Sequence, residues 1–393
     1  MDKLVELYEK NRHSNKVYMD NSATTMVDYE VINDMLPYFV SDYGNPSNNH
    51  TLGNTAKQGI LKAKQQIAKL INCSSEEIYF TSGGTESNNW VLNGVVQASE
   101  KPNKNIITSK IEHKSILNTC KNLADRQLCA TKYINVDING FVDLQQLEQS
   151  ITDNTILVSI MYANNEVGTI QDVEKIRQIT KDKNIYLHTD ATQIIGKQII
   201  DVKQLDIDFM TFSGHKIHAP KGIGVLYIKK GIDIKPFIYG GSQQDGKRSG
   251  TENVPCIVGL GKACELLFDN QVIYNIRIKS LQDYMIEKLQ QLPDVIITGS
   301  IDKRVNSIIS ICVKGLSGNA IVLALDTCGV ECSSGSACNE KTITKSHVLE
   351  AMGVSDDYIK GSVRFSISKY TTLIEIKYVI SKLNTVINTL KTI

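Results

Sequence analysis

Hydrophobic positions along the chain alternate between helical and strand spacing from about residue 22 to residue 226. Ile60, Ala63, Ile67 and Ile71 recur every three or four residues, which predicts a helix with one buried face. The strands predicted from short β-rich runs are 77–80, 106–108, 156–162, 185–188, 209–212 and 224–228. Because strands and helices alternate over this length, we expect an α/β fold with a mainly parallel sheet covered by helices on both faces.

The pattern changes beyond about residue 256, where a long helical stretch leads into a more mixed region. The elements predicted there are strands at 307–313 and 362–366 and helices near 320–325 and 374–390. This mixture is typical of a smaller α+β domain. The expected divisions of the chain are an N-terminal segment at 1–16, a large domain at 17–255 and a small C-terminal domain at 256–393.

The chain has 393 residues and a nearly balanced charge, with 43 Lys and Arg against 42 Asp and Glu. That balance provides no general positive field for nucleic acid or for an anionic membrane. No apolar run approaches the ~18–20 residues that a membrane span needs. The first residues also lack the apolar segment of a signal peptide. We therefore expect a cytoplasmic protein that binds neither nucleic acid nor a membrane directly.

Nine cysteines are scattered along the chain, and no two of them form a C-x2-C pair. A disulfide scaffold or a zinc ribbon is therefore disfavoured, and most of these thiols are expected to be buried. Cys332 and Cys338 differ because they lie among Ser and Gly. Their segment is open to three interpretations: a mobile loop that carries a reactive thiol, a surface turn, or a metal cluster with Cys328. We favour the cluster least, because His347 is the nearest fourth ligand, and we predict no metal site.

Three further loops follow predicted strands, at the end of the sheet where ligands bind in such folds. Gly83 and Gly84 open a predicted helix, so they form either a phosphate cup or a plain turn. Asp190 is either a helix cap or a carboxylate that keeps a heterocyclic nitrogen protonated. Lys216, held among Gly and Pro, is either a solvated surface residue or a partly desolvated amine nucleophile. Together the loops contain the parts that a pyridoxal phosphate enzyme requires.

Ten segments, in this order, carry a resemblance to a known family. They are YMDNSATT (18–25), GNPS (44–47), GTESNN (84–89), EHK (112–114), NNEVG (164–168), DATQ (190–193), SGHK (213–216), RSGT (248–251), SSGSAC (333–338) and RFS (364–366). With them the sequence resembles the NifS/IscS-type cysteine desulfurases of the fold-type I pyridoxal phosphate class. The resemblance covers nearly the whole chain and implies a seven-stranded sheet beside a smaller α+β domain.

The resemblance implies roles for several residues around the cofactor. Lys216 would form the Schiff base, Asp190 would pair with the pyridinium nitrogen, and His113 would stack on the ring and help to move protons. Gln193 would hydrogen-bond the phenolate oxygen. The residues implied at the phosphate are Gly84, Thr85, Ser213, His215 and Thr251, the last coming from the partner subunit of a homodimer.

The resemblance also implies the substrate and the reaction. Asn165, which would contact the cofactor as well, and Arg364 would hold the carboxylate of L-cysteine. Cys338 would take the sulfur as a persulfide, leaving L-alanine, and would pass it to an acceptor protein for iron–sulfur cluster assembly or tRNA thiolation. A mobile loop would allow Cys338 to reach both the cofactor and the acceptor. Cys332 would either shuttle sulfur or simply pack in the core.

Other functions on the same scaffold stay open. A selenocysteine lyase or a related lyase would use the same cofactor, whereas an aminotransferase would leave the Cys338 loop unexplained. A non-catalytic sulfur-relay or scaffold subunit would have no need of Lys216, Asp190 and His113. The segment GGSQQD (240–245) departs from the family, in which a third Gly and then Gln-Glu-Arg are usual. Cys338 is also followed by Asn-Glu where Thr-Ser or Ser-Ser is common.

Overall fold

A computed structural model describes residues 2–12, 16–335, 338–339, 342–343 and 345–392 of the chain. Its helices are α1 Asp2–Arg12, α2 Tyr29–Met35, α3 Pro37–Val40, α4 Thr51–Ile71, α5 Gly84–Ala98, α6 Lys114–Asp125, α7 Leu144–Ser150, α8 Val173–Lys181, α9 Val254–Leu289, α10 Gly318–Thr327, α11 His347–Ala351, α12 Asp356–Ile359 and α13 Leu373–Thr392. Three 3₁₀ turns lie at Ser75–Glu77, Gly214–Lys216 and Gln243–Gly246.

The strands form one large sheet and several smaller ones. They are β1 Val17–Tyr18, β2 Ile78–Thr81, β3 Asn105–Ser109, β4 Ala130–Ile134, β5 Thr155–Ser159, β6 Tyr186–Asp190, β7 Phe209–Ser213, β8 Gly224–Ile228, β9 Val295–Ile297, β10 Ile308–Val313, β11 Val330–Glu331, β12 Ser333–Ser334, β13 Cys338–Asn339, β14 Thr342–Ile343 and β15 Ser362–Ser366.

The large sheet has seven strands in the order β2-β8-β7-β6-β5-β3-β4. Neighbours from β4 to β7 are parallel, and β8 is antiparallel to both β7 and β2. Separate hydrophobic clusters cover its two faces, one including residues of α4 and α9 and the other residues of α5 and α6. The expected mainly parallel α/β sheet is confirmed, and its parallel strands present their carboxyl ends along one edge.

A smaller antiparallel sheet, in the order β12-β15-β10-β9, packs with α10 and α13 around a second core. This confirms the expected smaller α+β unit. The segment that precedes the large sheet also contacts this unit, because β1 pairs with β11 in a separate two-stranded sheet and Asp20 forms a bridge with Ser366 of β15. Asp20 is thereby brought next to β15, although hundreds of residues separate them in sequence.

The sequence prediction missed β4, which lies at one edge of the large sheet. Its residues are mostly exposed or half-buried, and only Ile134 is buried. An edge strand with so little buried surface has no continuous apolar run, so hydrophobic spacing alone could not reveal it. Among the described helices, none combines the length and the apolar character required to cross a bilayer.

At the opposite edge of the sheet, one side chain forms hydrogen bonds with the backbone of strand β2. The amide of Gln244 donates from Nε2 to the carbonyl oxygen of Phe80 at 2.8 Å and accepts from the Phe80 backbone N–H at 2.6 Å. Gln244 and Asp245 both adopt positive φ angles, 50° and 61°, which non-glycine residues rarely adopt. This pair of hydrogen bonds needs a group that both donates and accepts, and a carboxylate at this position lacks the donor.

We expect Gln244→Glu to destabilise the protein, because the carbonyl of Phe80 loses its donor and faces a carboxylate. The expected loss is about 1–3 kcal/mol of unfolding free energy, visible as a lower urea midpoint. Gln243→Glu is the matched control, since Gln243 accepts from Gly250 through Oε1 at 3.0 Å and a carboxylate can do the same. Equal shifts for the two variants would contradict the role given to the Gln244 amide.

Candidate active site

A cavity of about 600 Å³ lies at the carboxyl-terminal edge of the large sheet. Ten of the residues to which the resemblance gives a role line it: Gly84, Thr85, His113, Asn165, Asp190, Gln193, Ser213, His215, Lys216 and Arg364. Thr251 is exposed and does not line the cavity of its own chain. The side chain of Cys338 lies outside the described residues, and its backbone belongs to the β13–β14 hairpin. The structure thus brings together side chains from both ends of the sequence.

Asp190 ends strand β6 and lies almost fully buried at the floor of the cavity. Its Oδ1 accepts from the backbone N–H of Thr192 at 2.9 Å, and its Oδ2 accepts from Nδ2 of Asn88 at 2.8 Å. Both bonds fix the plane of the carboxylate. An acceptor held rigidly in a dry environment is suited to bind a protonated heterocyclic nitrogen.

Lys216 lies in the 3₁₀ turn that follows β7, and its amine crosses the cavity to the segment after β1. Nζ donates to the carbonyl oxygens of Ser22, at 2.5 Å, and Ala23, at 2.6 Å. Burial and the nearby Arg364 guanidinium lower the pKa of Lys216 to about 8, against the opposing effect of Asp20 and Asp190. A substantial fraction of this amine is therefore neutral near pH 8 and can act as a nucleophile or base.

Arg364 projects from β15 of the smaller sheet toward the large one. Its Nη1 donates to the carbonyl oxygen of Asn165 at 2.9 Å, and its Nη2 pairs with Oδ1 of Asp20, also at 2.9 Å. The third nitrogen, Nε, is buried without a hydrogen-bond partner among the described residues. A guanidinium with an unused buried donor is equipped to bind a carboxylate.

His113 caps the N-terminus of α6 and is exposed toward the wide cavity. Its Nδ1 lies 3.1 Å from the backbone nitrogen of Ser115 and 2.8 Å from the hydroxyl oxygen of that residue. The protein walls displace water from the ring, which lowers the pKa of His113 below its ordinary value. The imidazole is therefore neutral at physiological pH.

The N-terminus of α5 contributes backbone donors at the far end of the cavity. Gly83 is the N-cap residue of this 15-residue helix, Gly84 is its first residue, and the exposed Thr85 follows. Burial lowers the pKa of His215 to about 4, so its ring is neutral as well. At the same place Arg248 holds Glu86 through Nε and Nη2, at 2.9 and 3.2 Å, which keeps that carboxylate from opposing an anion.

Sequence reasoning gave no role to several polar residues that the structure places around this site. Asn88 lies within the motif GTESNN, but its contacts with Asp190 and Ser115 connect three separate elements. Lys197 approaches Oε1 of Gln193 at 3.5 Å, and burial lowers its pKa to about 7. In the sequence, the only local signal of this contact is a lysine four residues beyond Gln193 of the DATQ segment.

Cys332 packs partly buried against the second core, and burial raises its pKa to about 12. It is therefore present as an unreactive thiol at neutral pH. Among the residues whose side chains are described, no three His, Cys, Asp or Glu side chains lie close enough together to hold a metal ion.

Two substitutions should move the pKa of Lys216 in opposite directions. Asp20→Asn removes a negative charge that raises this pKa, so it should fall below about 8; Arg364→Gln removes a positive charge, so it should rise. The pH dependence of reductive methylation of Lys216, read by mass spectrometry on cofactor-free protein, measures both. Asp294→Asn, which removes an exposed partner of Lys391, is the control and should leave the Lys216 curve in place. Shifts in the same direction would show that these charges do not set the pKa.

The comparisons with known proteins agree with this geometry. The model of the family described as Aminotransferase class-V matches residues 17–379. The chain is 45% identical to the cysteine desulfurase IscS of Methanosarcina thermophila over 356 residues, which are 91% of this chain and 88% of that protein. A solved structure described as a NifS-like protein superposes with a TM-score of 0.90 at 38% identity, over 95% of this chain and all of that one. Another, described as SspA in complex with cysteine, has a TM-score of 0.79 at 33% identity over 90% of this chain and 99% of that one. The resemblance to NifS/IscS-type proteins is confirmed, and the chain belongs to the aminotransferase class-V family.

Proposed function

We propose that this protein is a pyridoxal phosphate-dependent cysteine desulfurase, which converts L-cysteine to L-alanine and transfers the sulfur to Cys338. The observation that carries the proposal is the single cavity in which Lys216, Asp190, His113 and Arg364 meet. The names of the relatives, which include cysteine desulfurases, support the same reaction.

The residues of the cavity fit pyridoxal phosphate. Its volume of about 600 Å³ lies within the ~300–1,000 Å³ usual for small-molecule sites. The N-terminus of α5 and the side chains of Ser213 and His215 would hold the phosphate, and Asp190 would hold the pyridine nitrogen. Lys216 would bind the aldehyde carbon, and Gln193 would contact the ring oxygen. When bound, this cofactor would supply the electron sink that makes the Cα proton of an amino acid acidic.

The chain's own residues would bind and orient the substrate. The carboxylate of L-cysteine would accept from the Arg364 guanidinium, including the buried Nε donor. To accept hydrogen bonds from two guanidinium nitrogens at once, this carboxylate must displace Asp20 from Nη2 of Arg364 or share that nitrogen with it. Asn165 lines the same part of the cavity and accepts from Arg364 through its backbone, so it holds the guanidinium in place.

Lys216 would then move the proton. Its amine, with a lowered pKa, is neutral often enough to accept the Cα proton of the bound amino acid. The carbonyls of Ser22 and Ala23, which accept from Nζ, would stabilise the ammonium that forms. The Cys338 thiolate would attack the substrate sulfur, so that a sulfur–sulfur bond forms on Cys338 as the carbon–sulfur bond breaks. The electron pair of the broken bond would stay with the carbon skeleton, which would take up a proton there and leave as alanine.

The activity assay tests this proposal directly. Purified protein supplied with pyridoxal phosphate should release alanine from L-cysteine in the presence of a thiol reductant. Cys338→Ala and Lys216→Ala should each lower the rate by roughly a thousandfold. Cys332→Ala is the matched control, since that thiol packs in the core, and it should keep the activity. Unimpaired release of alanine by Cys338→Ala would exclude the transfer to this cysteine.

A selenocysteine lyase is the second candidate, and the same variants separate it. That activity would survive Cys338→Ala with selenocysteine as substrate, because selenium leaves without attack by an enzyme thiol. The sulfur acceptor is proposed as a protein of iron–sulfur cluster assembly or of tRNA thiolation. The chain's near-neutral charge supports a protein acceptor rather than direct binding of nucleic acid.

We also propose that two copies complete each site. A second cavity, of about 580 Å³, adjoins the first and shares Thr85, His113 and Ser115 with it. Phe237 lines this cavity, and Tyr239 nearby in sequence is 71% exposed, as expected for a surface that a partner covers. Thr251, exposed in its own chain, would reach the phosphate of the other copy.

Mixing two inactive variants tests this arrangement. Two variants should each be inactive as homodimers: Lys216→Ala, which lacks the amine, and Thr251→Glu, whose carboxylate would repel the phosphate. If Thr251 acts across the interface, a hybrid dimer has one site with both native residues. Statistical exchange should then restore roughly a quarter of the wild-type rate. Dimers that exchange subunits, as judged by mass spectrometry, without regaining activity would contradict the shared site.

A further inference from the structure

The buried hydrogen bonds of Asn88 connect the floor of the cavity to the ring of His113. Asn88 lies on α5 with 1% of its surface exposed, and its Nδ2 is 2.8 Å from both Asp190 Oδ2 and Ser115 Oγ. Its Oδ1 accepts from the hydroxyl of Thr211 at 2.5 Å. Every polar atom of the Asn88 side chain therefore has a partner, and the partners lie on β6, α6 and β7.

The carboxylate of Asp190 fixes the direction of these bonds. An ionised carboxylate only accepts hydrogen bonds, so the atom of Asn88 that faces it must be the amide nitrogen. The second N–H of the same nitrogen is then directed at Ser115 Oγ, which accepts it. With a lone pair of its oxygen engaged, the Ser115 hydroxyl donates its own proton to the nearest acceptor, which is Nδ1 of His113 at 2.8 Å.

The ring nitrogen Nδ1 of His113 therefore receives two donors. The backbone N–H of Ser115 lies 3.1 Å from it and has a fixed direction, so it too requires an unprotonated Nδ1. A neutral imidazole carries one proton, which must then be on Nε2. All the hydrogen bonds described for His113 engage Nδ1, and Nε2 is the nitrogen available to a molecule in the cavity.

We propose that Asn88 and Ser115 are positioning residues that hold His113 as the Nε2–H tautomer, so that His113 acts as a neutral hydrogen-bond donor and not as a base. The proposal rests on the proposed desulfurase function and assigns the proton acceptor within it. A ring that already holds its proton on the cavity side, with Nδ1 occupied twice, cannot accept a proton from the substrate. Lys216 is then the group that removes the Cα proton.

The surroundings of His113 also favour its neutral state. Partial desolvation lowers the pKa of His113, and the charge of Asp190 raises it. The other three nearby groups lower it further: Lys216, His347 and Lys114. Neutral histidine used as a donor is known from enzymes in which a low pKa keeps the ring uncharged. Here the lowered pKa keeps the ring neutral, and the two donors at Nδ1 place its proton on Nε2.

The tautomer can be measured without relying on catalysis. Full-length protein labelled with ¹⁵N-histidine, with and without pyridoxal phosphate, gives long-range ¹H–¹⁵N spectra in which the two neutral tautomers differ. The chain has seven histidines, and comparison with His113→Gln assigns the signal. Wild-type protein should show the Nε2–H tautomer at His113. A proton on Nδ1 would overturn the proposal whatever the variants show.

Ser115→Ala removes the hydroxyl and leaves the backbone donor. The ratio of the Nε2–H to the Nδ1–H tautomer should fall by roughly two- to tenfold, as expected for one neutral hydrogen bond. The pKa of His113 should rise, because a donor to Nδ1 stabilises the neutral ring. Ser115→Thr restores the hydroxyl and should restore both values. If Ser115→Ala moves neither the ratio nor the pKa, Ser115 does not set the tautomer.

The control variant is Thr119→Val, which removes another hydroxyl from α6. Thr119 bonds to the carbonyl of Ser115 and to Asn89, each at 2.8 Å, and neither of these bonds involves His113. It should leave the tautomer ratio and the pKa unchanged, and an equal shift would show that loosening of α6 is sufficient. Alanine release is measured on the same samples. Its absence in wild-type protein would refute the desulfurase proposal, while the spectra would still decide the tautomer.

Discussion

The ion pair between Asp20 and Arg364 joins the two parts of the molecule that form the cavity. Asp20 follows β1 and is fixed by its bridge to Ser366, while Arg364 lies two residues earlier on the same strand. The segment continues to Ser22 and Ala23, whose carbonyl oxygens receive the amine of Lys216. One short stretch of chain therefore fixes both the guanidinium and the lysine, and a shift of β1 would alter both at once.

Burial explains why these charges lie so close together. A partly buried ion pair offsets much of the desolvation of its members, whereas one charge alone would be costly. The positive charge of Arg364 in turn disfavours a second positive charge on Lys216, which is a cause of its lowered pKa. The lowered pKa of the Lys216 amine and the pairing of the Arg364 guanidinium with Asp20 thus result from the same arrangement.

Hydrophobic spacing predicted those elements that bury a continuous face. It predicted the interior strands of the large sheet and helices α4, α10 and α13. It did not predict the exposed edge strand β4. Nine of the ten cavity residues that the motifs predicted lie at the end of a strand of the large sheet or in the segment that follows it, whereas Arg364 lies within β15. Asn88 gave no such signal, since an asparagine inside a helix is ordinary until β6 and α6 are brought beside it. The roles of the site residues, Cys338 and Thr251 included, and the domain bounds stay predictions.

The hydrogen bonds of Gln244 to Phe80 have a consequence for the behaviour of the protein at high concentration. An edge strand with free backbone groups can recruit a strand from another molecule, which begins aggregation. On β2 the side-chain amide of Gln244 forms the two hydrogen bonds with the N–H and C=O of Phe80 that a neighbouring strand would otherwise form. Gln244 thus blocks the backbone groups of Phe80, and intermolecular strand addition at this residue must first break two hydrogen bonds.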